Sequence, residues 1–452
     1  MEEKLKGYKG KARELLVKNK IDIWDILQIK STQGGFEGVL LPRSEYAHSD
    51  FIEIKLENNY NVGIGVSNIT NIKRIGNKKA TYKIPEKMFP INKKLPNITL
   101  LGTGGTVASR LDYTTGAVIP SFTPGELFSS VPELAEICNL DTEIVFEILS
   151  ENMKPEYWQQ MAVKIEKAAN SGKDGIVIGH GTDTMGFTSA ALSFMLKDLS
   201  IPVVMVGSQR SSDRPSSDAA LNLINAAIVA SSDIAEVVVS MLGSTEHDFT
   251  LIHRGPHVRK MHSSVRHTFR TIDDIPLGMV KDRKIKMFKK AYNKRSNSKT
   301  TSLTDFEKKI ALIYTYPGMN NEIVEFYIDK GYKGIVIAGT GLGHMNTELY
   351  ESIKKAIELG IIVVMTVQTL HGFTGMNVYS TGRELIDLGV IPGKNLLPET
   401  AYVKLGWVLG QENNINDAKK LFLTNIANEF IEREIPIAFN YDINTLLKEK
   451  KL

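Results

Sequence analysis

Three short stretches of this sequence hold residue types that could do chemistry together. Ile98-Thr-Leu-Leu-Gly-Thr-Gly-Gly-Thr-Val-Ala-Ser109 places threonines among glycines directly after an apolar run. Gly175-Ile-Val-Ile-Gly-His-Gly-Thr-Asp-Thr-Met185 repeats that design and sets the Thr182 hydroxyl beside the Asp183 carboxylate. His257-Val-Arg-Lys-Met-His262 brings basic residues close to the end of a further strand. A threonine alkoxide does not form unaided at neutral pH, and an amine held by a carboxylate and facing a threonine is one way to activate the hydroxyl. Taken singly, each piece reads as a capping Thr or Asp or a surface Lys. Three of them on successive strand ends point to a site.

Two rival readings of the glycines fail on spacing. A dinucleotide fingerprint needs Gly-x-Gly-x-x-Gly and a later acidic residue, but Val107 stands where the third glycine belongs. A phosphate loop needs Gly-Lys-Ser/Thr, and no lysine is present. Gly339-Thr-Gly-Leu-Gly343 has the wrong spacing for a nucleotide loop, and no acidic residue ends the strand near Gln368, so it reads as a tight turn.

The elements that must position these residues follow from the hydrophobic pattern. Up to about residue 75, short alternating runs such as Phe51–Leu56 and Tyr60–Val66, separated by Gly and Asn turns, predict a small β-barrel over 1–75. Residues 76–96, rich in Lys, Asn and Pro, read as a linker. Thereafter the rhythm is β then α. Strands are predicted at Ile98–Leu101, Thr142–Leu149, Gly175–Ile178, Val203–Val206, Val237–Met241, Ile310–Tyr314, Gly334–Ala338 and Ile361–Val367, with helices such as Pro155–Ser171 and Asp218–Ala230 between them. That alternation predicts an α/β fold with parallel-rich sheets covered by helices on both faces. A larger domain is expected over 97–290 and a smaller one over 291–452. The basic stretch Lys281–Thr301 marks the border; it could touch RNA phosphates, but reads better as a solvated linker.

Composition narrows the class. The 452 residues carry a net charge of +4, with 42% hydrophobic and 23% charged residues, the balance of a soluble globular protein of two or three domains. No strong electrostatic footprint for nucleic acid covers the whole chain. The single cysteine, Cys138, allows no internal disulfide and no Cys cluster for zinc or iron–sulfur chemistry, which fits a reducing compartment. The charged N-terminus lacks the apolar core of a signal peptide, and apolar runs such as Ile361–Met365 are too short to span a bilayer. A cytoplasmic protein without metal is the expectation.

Thr103-Gly-Gly-Thr-Val-Ala and His180-Gly-Thr-Asp-Thr-Met resemble the two signatures of bacterial-type L-asparaginases. The likeness extends through Val203–Arg210, Asp218-Ala-Ala-Leu-Asn-Leu and Gly339–Gly343, and covers about the last four-fifths of the chain. The N-terminal module, with Glu37-Gly-Val-Leu-Leu-Pro-Arg43 and Asn59-Tyr-Asn-Val-Gly-Ile64, is absent from simple asparaginases. It resembles the front of the GatD family, the D-type subunits of archaeal glutamyl-tRNA(Gln) amidotransferases. The resemblance implies an asparaginase-like fold that releases ammonia from the side-chain amide of L-glutamine or L-asparagine. It implies a companion amidotransferase subunit, of E type, that binds Glu-tRNA(Gln), uses ATP with Mg2+ and makes Gln-tRNA(Gln), so that no cofactor is expected in this chain. A homodimer at the core of a heterotetramer is also implied.

Carried over by motif, the family makes Thr103 the nucleophile and Thr182, Asp183 and Lys260 a hydroxyl–carboxylate–amine relay. Tyr113 falls on a mobile loop where a tyrosine orients the threonine. Ser150 and Glu151 match positions that bind the substrate's α-carboxylate and α-ammonium, and Asp183 matches a further contact to the ammonium. The Gly104 N–H would hold a developing oxyanion. Arg259 beside Lys260 leaves that placement open, and His180 and His262 read as structural. The competing functions are a free cytoplasmic L-asparaginase and a binding protein on a dead asparaginase fold. The N-terminal module speaks against the first and the full residue set against the second.

Overall fold

The computed structural model describes residues 5, 7–43, 48–57, 61–77, 90–104, 109–111, 118–120, 131–210, 216–441 and 443–448. The N-terminal unit begins with helix α1 (Gly10–Lys18), followed by strands β1 (Asp25–Ser31), β2 (Gly34–Leu40), β3 (Phe51–Leu56), β4 (Asn61–Gly65) and β5 (Ile69–Asn77). They form one antiparallel sheet in the order β4-β3-β2-β1-β5. Alternation turns Leu27, Ile29, Leu40, Ile52, Ile54 and Ile64 into a core that α1 joins through Ala12 and Leu16. Buried Asp25 ties the two ends of the chain path together, accepting from Arg74 Nε at 2.8 Å and Asn77 Nδ2 at 2.8 Å. A 3₁₀ turn at Val66–Asn68 links β4 to β5. The strands are antiparallel throughout, as the predicted small β-barrel requires, and among the described residues no ladder joins β4 to β5.

The first α/β domain runs through β6 (Asn97–Gly102), the hairpin β7 (Ser109–Leu111) and β8 (Val118–Pro120), β9 (Asn139–Ile144), β10 (Gly175–Gly179), the short β11 (Leu196–Lys197), β12 (Val203–Val206) and β13 (Val237–Leu242). Then come β14 (Phe249–Arg254), β15 (Val258–Lys260), β16 (Phe269–Thr271), β17 (Gly278–Lys281) and β18 (Lys284–Met287). Eight of them make one sheet, β18-β17-β14-β13-β12-β10-β6-β9. From β9 to β13 the pairing is parallel, and β14, β17 and β18 add an antiparallel edge. The chain from Leu242 to Phe249 is too short for a parallel crossover, so it can only turn back as a hairpin. The basic stretch from Lys281 therefore starts inside the sheet, as its β17–β18 edge hairpin, before it becomes a connection.

Side chains of the central strands alternate between two cores. Ile176, Ile178, Val203 and Met205 face α2 (Pro155–Ala169) and α3 (Met185–Met195), whereas Val177, Val204 and Val206 face α4 (Ala219–Ala230). This two-sided burial is why these strands are unbroken apolar runs.

The second domain is a parallel sheet of β20 (Ile310–Tyr314), β21 (Gly334–Gly339), β22 (Ile362–Val367) and β23 (Ile391–Pro392), reached after the short β19 (Thr301–Ser302). Helices α5 (Glu322–Asp329), α6 (Tyr350–Glu358) and α7 (Ser380–Leu388) cover one face. The other face packs on α8 (Pro398–Gln411), followed by α9 (Ile415–Leu423). Helix α8 is buried on almost every side, because Leu405, Trp407 and Val408 join the same core as α2 and α3. At its centre Lys404 Nζ is fully buried, held by the Glu429 carboxylate and by Thr424 O at 2.7 Å, with the Phe430 ring 4.2 Å away.

Polar contacts also cross between the domains. Gly372 N–H donates to Asp273 Oδ1 at 2.9 Å, and His371 Nδ1 lies 3.4 Å from the same oxygen. Burial pushes the Asp273 carboxyl up to about 7, against the Gly372 hydrogen bond, with Glu434 and Asp274 adding to the rise. An acid with a raised folded pKa contributes stability at low pH that is lost as pH rises through its unfolded and then its folded value. Asp273→Asn keeps the acceptor and suits the left-handed φ of +59°. The variant should be more stable than the parent by roughly 1–3 kcal/mol at pH 8, with the gain shrinking towards pH 4, in urea unfolding at both pH values. An equal gain at both would contradict the titration.

Candidate active site

The site begins where β6 and β10 end side by side, Gly102 in register with Gly179. Thr103, the next residue, is buried, and both its N–H (3.1 Å) and its hydroxyl (2.9 Å) donate to the Gly179 carbonyl. Gly104 follows with φ of +98°, and a Cβ there would sit 2.2 Å from the Ile148 carbonyl oxygen. Only glycine makes this turn. The predicted strand Thr142–Leu149 stops at Ile144, because the chain then crosses the turn: Val145 N–H donates to Gly102 O and Ile148 N–H to Thr103 O. Ser150 and Glu151 come next, on the 3₁₀ turn Ser150–Asn152, the first buried and the second exposed.

The second turn locks against the first. A Cβ on Gly181 would lie 2.7 Å from Ser150 Cβ, and the Thr184 hydroxyl donates to Ser150 O at 2.8 Å. Thr182 and Asp183 stand between them, half-buried and exposed respectively, just before α3 begins. Lys260, at the end of β15, reaches both: Nζ donates to Thr182 Oγ1 at 2.9 Å and to Asp183 Oδ1 at 2.7 Å. Alternation along β15 turns Arg259 the other way, where Nη1 meets Glu399 Oε2 at 2.9 Å. Of the two neighbours it is Lys260 that meets Thr182 and Asp183.

His180 lies beneath this turn. Its Nδ1 donates to Gly181 O at 2.6 Å, an acceptor-only group, which leaves Nε2 to accept from the Thr188 hydroxyl at 2.9 Å. Thr188 in turn accepts from Trp158 Nε1 at 3.0 Å. Burial pushes the imidazole down to about 4, so it stays neutral. His262 Nδ1 accepts the backbone N–H groups of Ser264 and Val265, each at 3.1 Å, and serves its own loop. Both histidines are occupied structurally.

Some supporting residues carry only a faint signal in the sequence. Buried Asp218 accepts the N–H groups of Gln209 and Arg210 and the Asn222 amide, and so fixes the loop after β12. The i,i+4 spacing of Asp218 and Asn222 is the available signal. Trp158 and Glu399 give none. Gly339–Gly343 is a tight turn, with φ of +52° at Gly341 and +95° at Gly343 and Thr340 bridged to His344. Tyr113 lies outside the described residues.

A cavity of about 460 Å³ opens between α3, the start of β13 and α8, away from all these residues. Its buried Arg254 is already closed on Glu236, at 2.6 and 3.0 Å. Among the described residues no group of three or more His, Cys, Asp or Glu side chains is placed to hold a metal ion. No described helix is long and apolar enough to cross a membrane.

The N-terminal asparaginase domain family matches residues 97–293, and the glutaminase/asparaginase C-terminal domain matches 309–422. The GatD N-terminal domain matches 21–75. The D-type glutamyl-tRNA(Gln) amidotransferase subunit of Pyrococcus furiosus is 50% identical over 435 residues, 95% of this chain and 99% of that protein. The chain belongs to the GatD family of glutamyl-tRNA(Gln) amidotransferase subunits. The Thermococcus kodakarensis member is 48% identical, over 93% of this chain and 97% of its own length. Among solved structures, the thermostable L-asparaginase from Thermococcus kodakarensis superposes with a TM-score of 0.68 at 28% identity, over 75% of this chain and 100% of that one. L-asparaginase I from Vibrio cholerae gives 0.65 at 28% identity, over 75% and 99%. The GatD family therefore adds its N-terminal domain to an asparaginase-like α/β pair.

Because the Gly104 turn has no room for a side chain, Gly104→Ala must move either Thr103 or the segment at Ile148. Amide hydrolysis should fall by at least about tenfold in steady-state assays, without loss of the folded state by circular dichroism. Unchanged turnover would show that this turn does not position the reacting group.

Proposed function

We propose that this chain is the amidohydrolase half of a tRNA-dependent amidotransferase. It hydrolyses the side-chain amide of glutamine at Thr103 and releases ammonia to a companion subunit of E type, which amidates Glu-tRNA(Gln). The observation that carries this reading is the Lys260 ammonium bonded to both Thr182 and Asp183, on the strand end next to Thr103.

The chemistry follows from who donates to whom. At rest the Thr103 hydroxyl points its proton at a backbone carbonyl, which is no base, so it must rotate before attack. Thr103 Oγ then bonds to the amide carbon, and the carbonyl oxygen takes negative charge within reach of the Gly104 N–H. Lys260 donates to Thr182 Oγ1, which leaves the hydroxyl proton of Thr182 free to point at substrate and makes it more acidic. Thr182 takes the proton that Thr103 gives up and delivers one to the departing nitrogen, which leaves as ammonia. The ester at Thr103 is then opened by water, giving glutamate and the free hydroxyl. Ser150 and Glu151, on the adjoining 3₁₀ turn, bind the α-carboxylate and the α-ammonium, with Asp183 and Tyr113 completing the set. Asparagine is one methylene shorter, a difference worth only about 1–3 kcal/mol in a pocket.

In the same reading the protein is cytoplasmic, works as a homodimer within a heterotetramer and needs no cofactor of its own, ATP and Mg2+ belonging to the E-type companion. Of the nine basic residues in the stretch 281–299, Lys281 is paired internally with Asp248, Arg283 with Glu136 and Lys289 with Asp274. In this reading tRNA is met mainly through the companion. The free L-asparaginase reading leaves the domain at 21–75 without a task.

Thr103→Val keeps the branched shape and removes only the hydroxyl. It should lower glutamine hydrolysis by about a thousandfold or more, and a glutamine analogue with an electrophilic side chain should label Thr103 in the parent chain by peptide mass spectrometry. Label on Thr182, or activity surviving in the Val variant, would reassign the nucleophile.

Coupling to the acceptor has its own test. Glutamine turnover should be weak in the chain alone and rise when the E-type companion and Glu-tRNA(Gln) are both added, since ammonia made without an acceptor is lost. Equal rates for the chain, the pair and the pair with Glu-tRNA(Gln) would return the protein to the asparaginase reading.

A further inference from the structure

Lys260 belongs to the first domain by sequence, where the Ser189 hydroxyl holds Gly255 O at 2.9 Å just before the ribbon, but part of its support comes from the second. The residue lies on β15, half of the two-stranded ribbon β15–β16, which is not part of the eight-stranded sheet. Five hydrogen bonds from beyond residue 370 converge on this ribbon and its flanks, one of them from Thr271 N–H to Tyr441 Oη at 3.3 Å. The Thr400 hydroxyl donates to Pro256 O at 2.9 Å, a fully buried bond just before the ribbon. His257 Nε2 donates to Asn428 O at 2.8 Å. Glu399 Oε2 accepts from Arg259 Nη1 at 2.9 Å, and Gly372 N–H reaches Asp273 just after β16. Glu399 and Thr400 sit in the first turn of α8, whose following turns pack on α3.

We propose that Glu399 and Thr400 are positioning residues for Lys260: the first turn of α8 grips the ribbon on both sides of Val258 and so sets where the ammonium stands between Thr182 and Asp183. The inference rests on the relay reading above for its effect on rate, but not for its geometry. The ion pair cannot hold itself in place. Lys260 is 13% exposed at the side chain but Asp183 is 63% exposed, so the pair is screened from one side and does not by itself set the direction of a long side chain. A three-residue strand paired on one side is no anchor either. Beside the first-domain bond from Ser189 to Gly255 O, two tethers come from α8: the backbone carbonyl of Pro256 is held by Thr400, and the neighbouring Arg259 by a carboxylate that is itself almost buried. Because Arg259 and Lys260 leave opposite faces of one short strand, tethering the first sets the rotation of the strand and hence the direction of the second. Placement of Lys260 is thereby tied to the seating of the second domain on the first.

The test uses the full-length chain with Glu399→Gln and, separately, Thr400→Val, which removes a different tether. In each variant we expect the kcat for glutamine hydrolysis to fall roughly tenfold with KM within about twofold, as for loss of geometry rather than of binding. Acylation of Lys260 by an amine-reactive probe, followed by peptide mass spectrometry, should speed up several-fold relative to the other lysines, since a loosened ammonium is more often free of its partners. Unchanged Lys260 acylation in both variants would overturn the proposal, and so would a kcat loss that merely tracks a fall in Tm. Lys260→Met is measured alongside. If it keeps full turnover, the relay reading fails, while the acylation rates still decide whether the second domain positions this lysine.

Discussion

A single ammonium, 2.9 Å from a threonine hydroxyl and 2.7 Å from a carboxylate, is the contact on which the rest of the site depends. The three groups come from two segments nearly eighty residues apart in sequence, and neither segment can hold the arrangement alone. Thr182 and Asp183 follow the end of a central parallel strand, where the backbone is tied by ladders on both sides. Lys260 arrives on a ribbon outside the sheet. The asymmetry follows from the fold: carboxyl ends of parallel strands gather functional groups from successive crossovers, whereas a residue that must approach from across the cleft needs another support. Here the second domain gives part of it, alongside the Ser189 hydroxyl on Gly255 O.

The same parallel geometry explains why the glycines fall where they do. Between adjacent strand ends there is room for two turns only if one of each pair of facing residues has no side chain. Gly104 faces the Ile148 carbonyl and Gly181 faces Ser150, and both positions would clash with a Cβ at less than 3.0 Å. Thr103 directly precedes the first constriction and Thr182 directly follows the second, one buried and one half-buried. Their difference in exposure suits different tasks, a shielded hydroxyl held against the backbone and an accessible one turned toward the amine.

Much of this is legible in the sequence, for a physical reason. Strands buried on both faces must be largely apolar, so β6, β10, β12, β13, β21 and β22 stand out as runs broken at most by a Ser, Thr or terminal Asn, and β6, β10 and β21 end in Gly-rich, hydroxyl-bearing turns. Pairing is not legible. The run Thr142–Leu149 has one composition, but its ladder ends at Ile144 because the backbone of Val145 and Ile148 is taken by Gly102 and Thr103. Whether Arg259 or Lys260 faces the cleft depends on which side of a three-residue strand looks inward, and adjacent basic residues carry no such information. Helix α1 escapes a reading by pattern because only Ala12 and Leu16 of its nine residues are buried, too short a stripe to show periodicity.

The N-terminal unit raises a different kind of constraint. Its core is closed on itself: the buried cluster draws on residues between Leu5 and Ile72 alone, and buried Asp25 spends its carboxylate within the unit. Among the described residues, none of this unit joins the cores of the α/β pair. Relatives of near-complete coverage carry the unit, while the solved asparaginases match only 75% of this chain. In the proposed reading amide hydrolysis is the task of the two α/β domains. What the added domain can change is where the ammonia goes, because a neutral, volatile product is useful to an acceptor only if the acceptor is docked before the product forms.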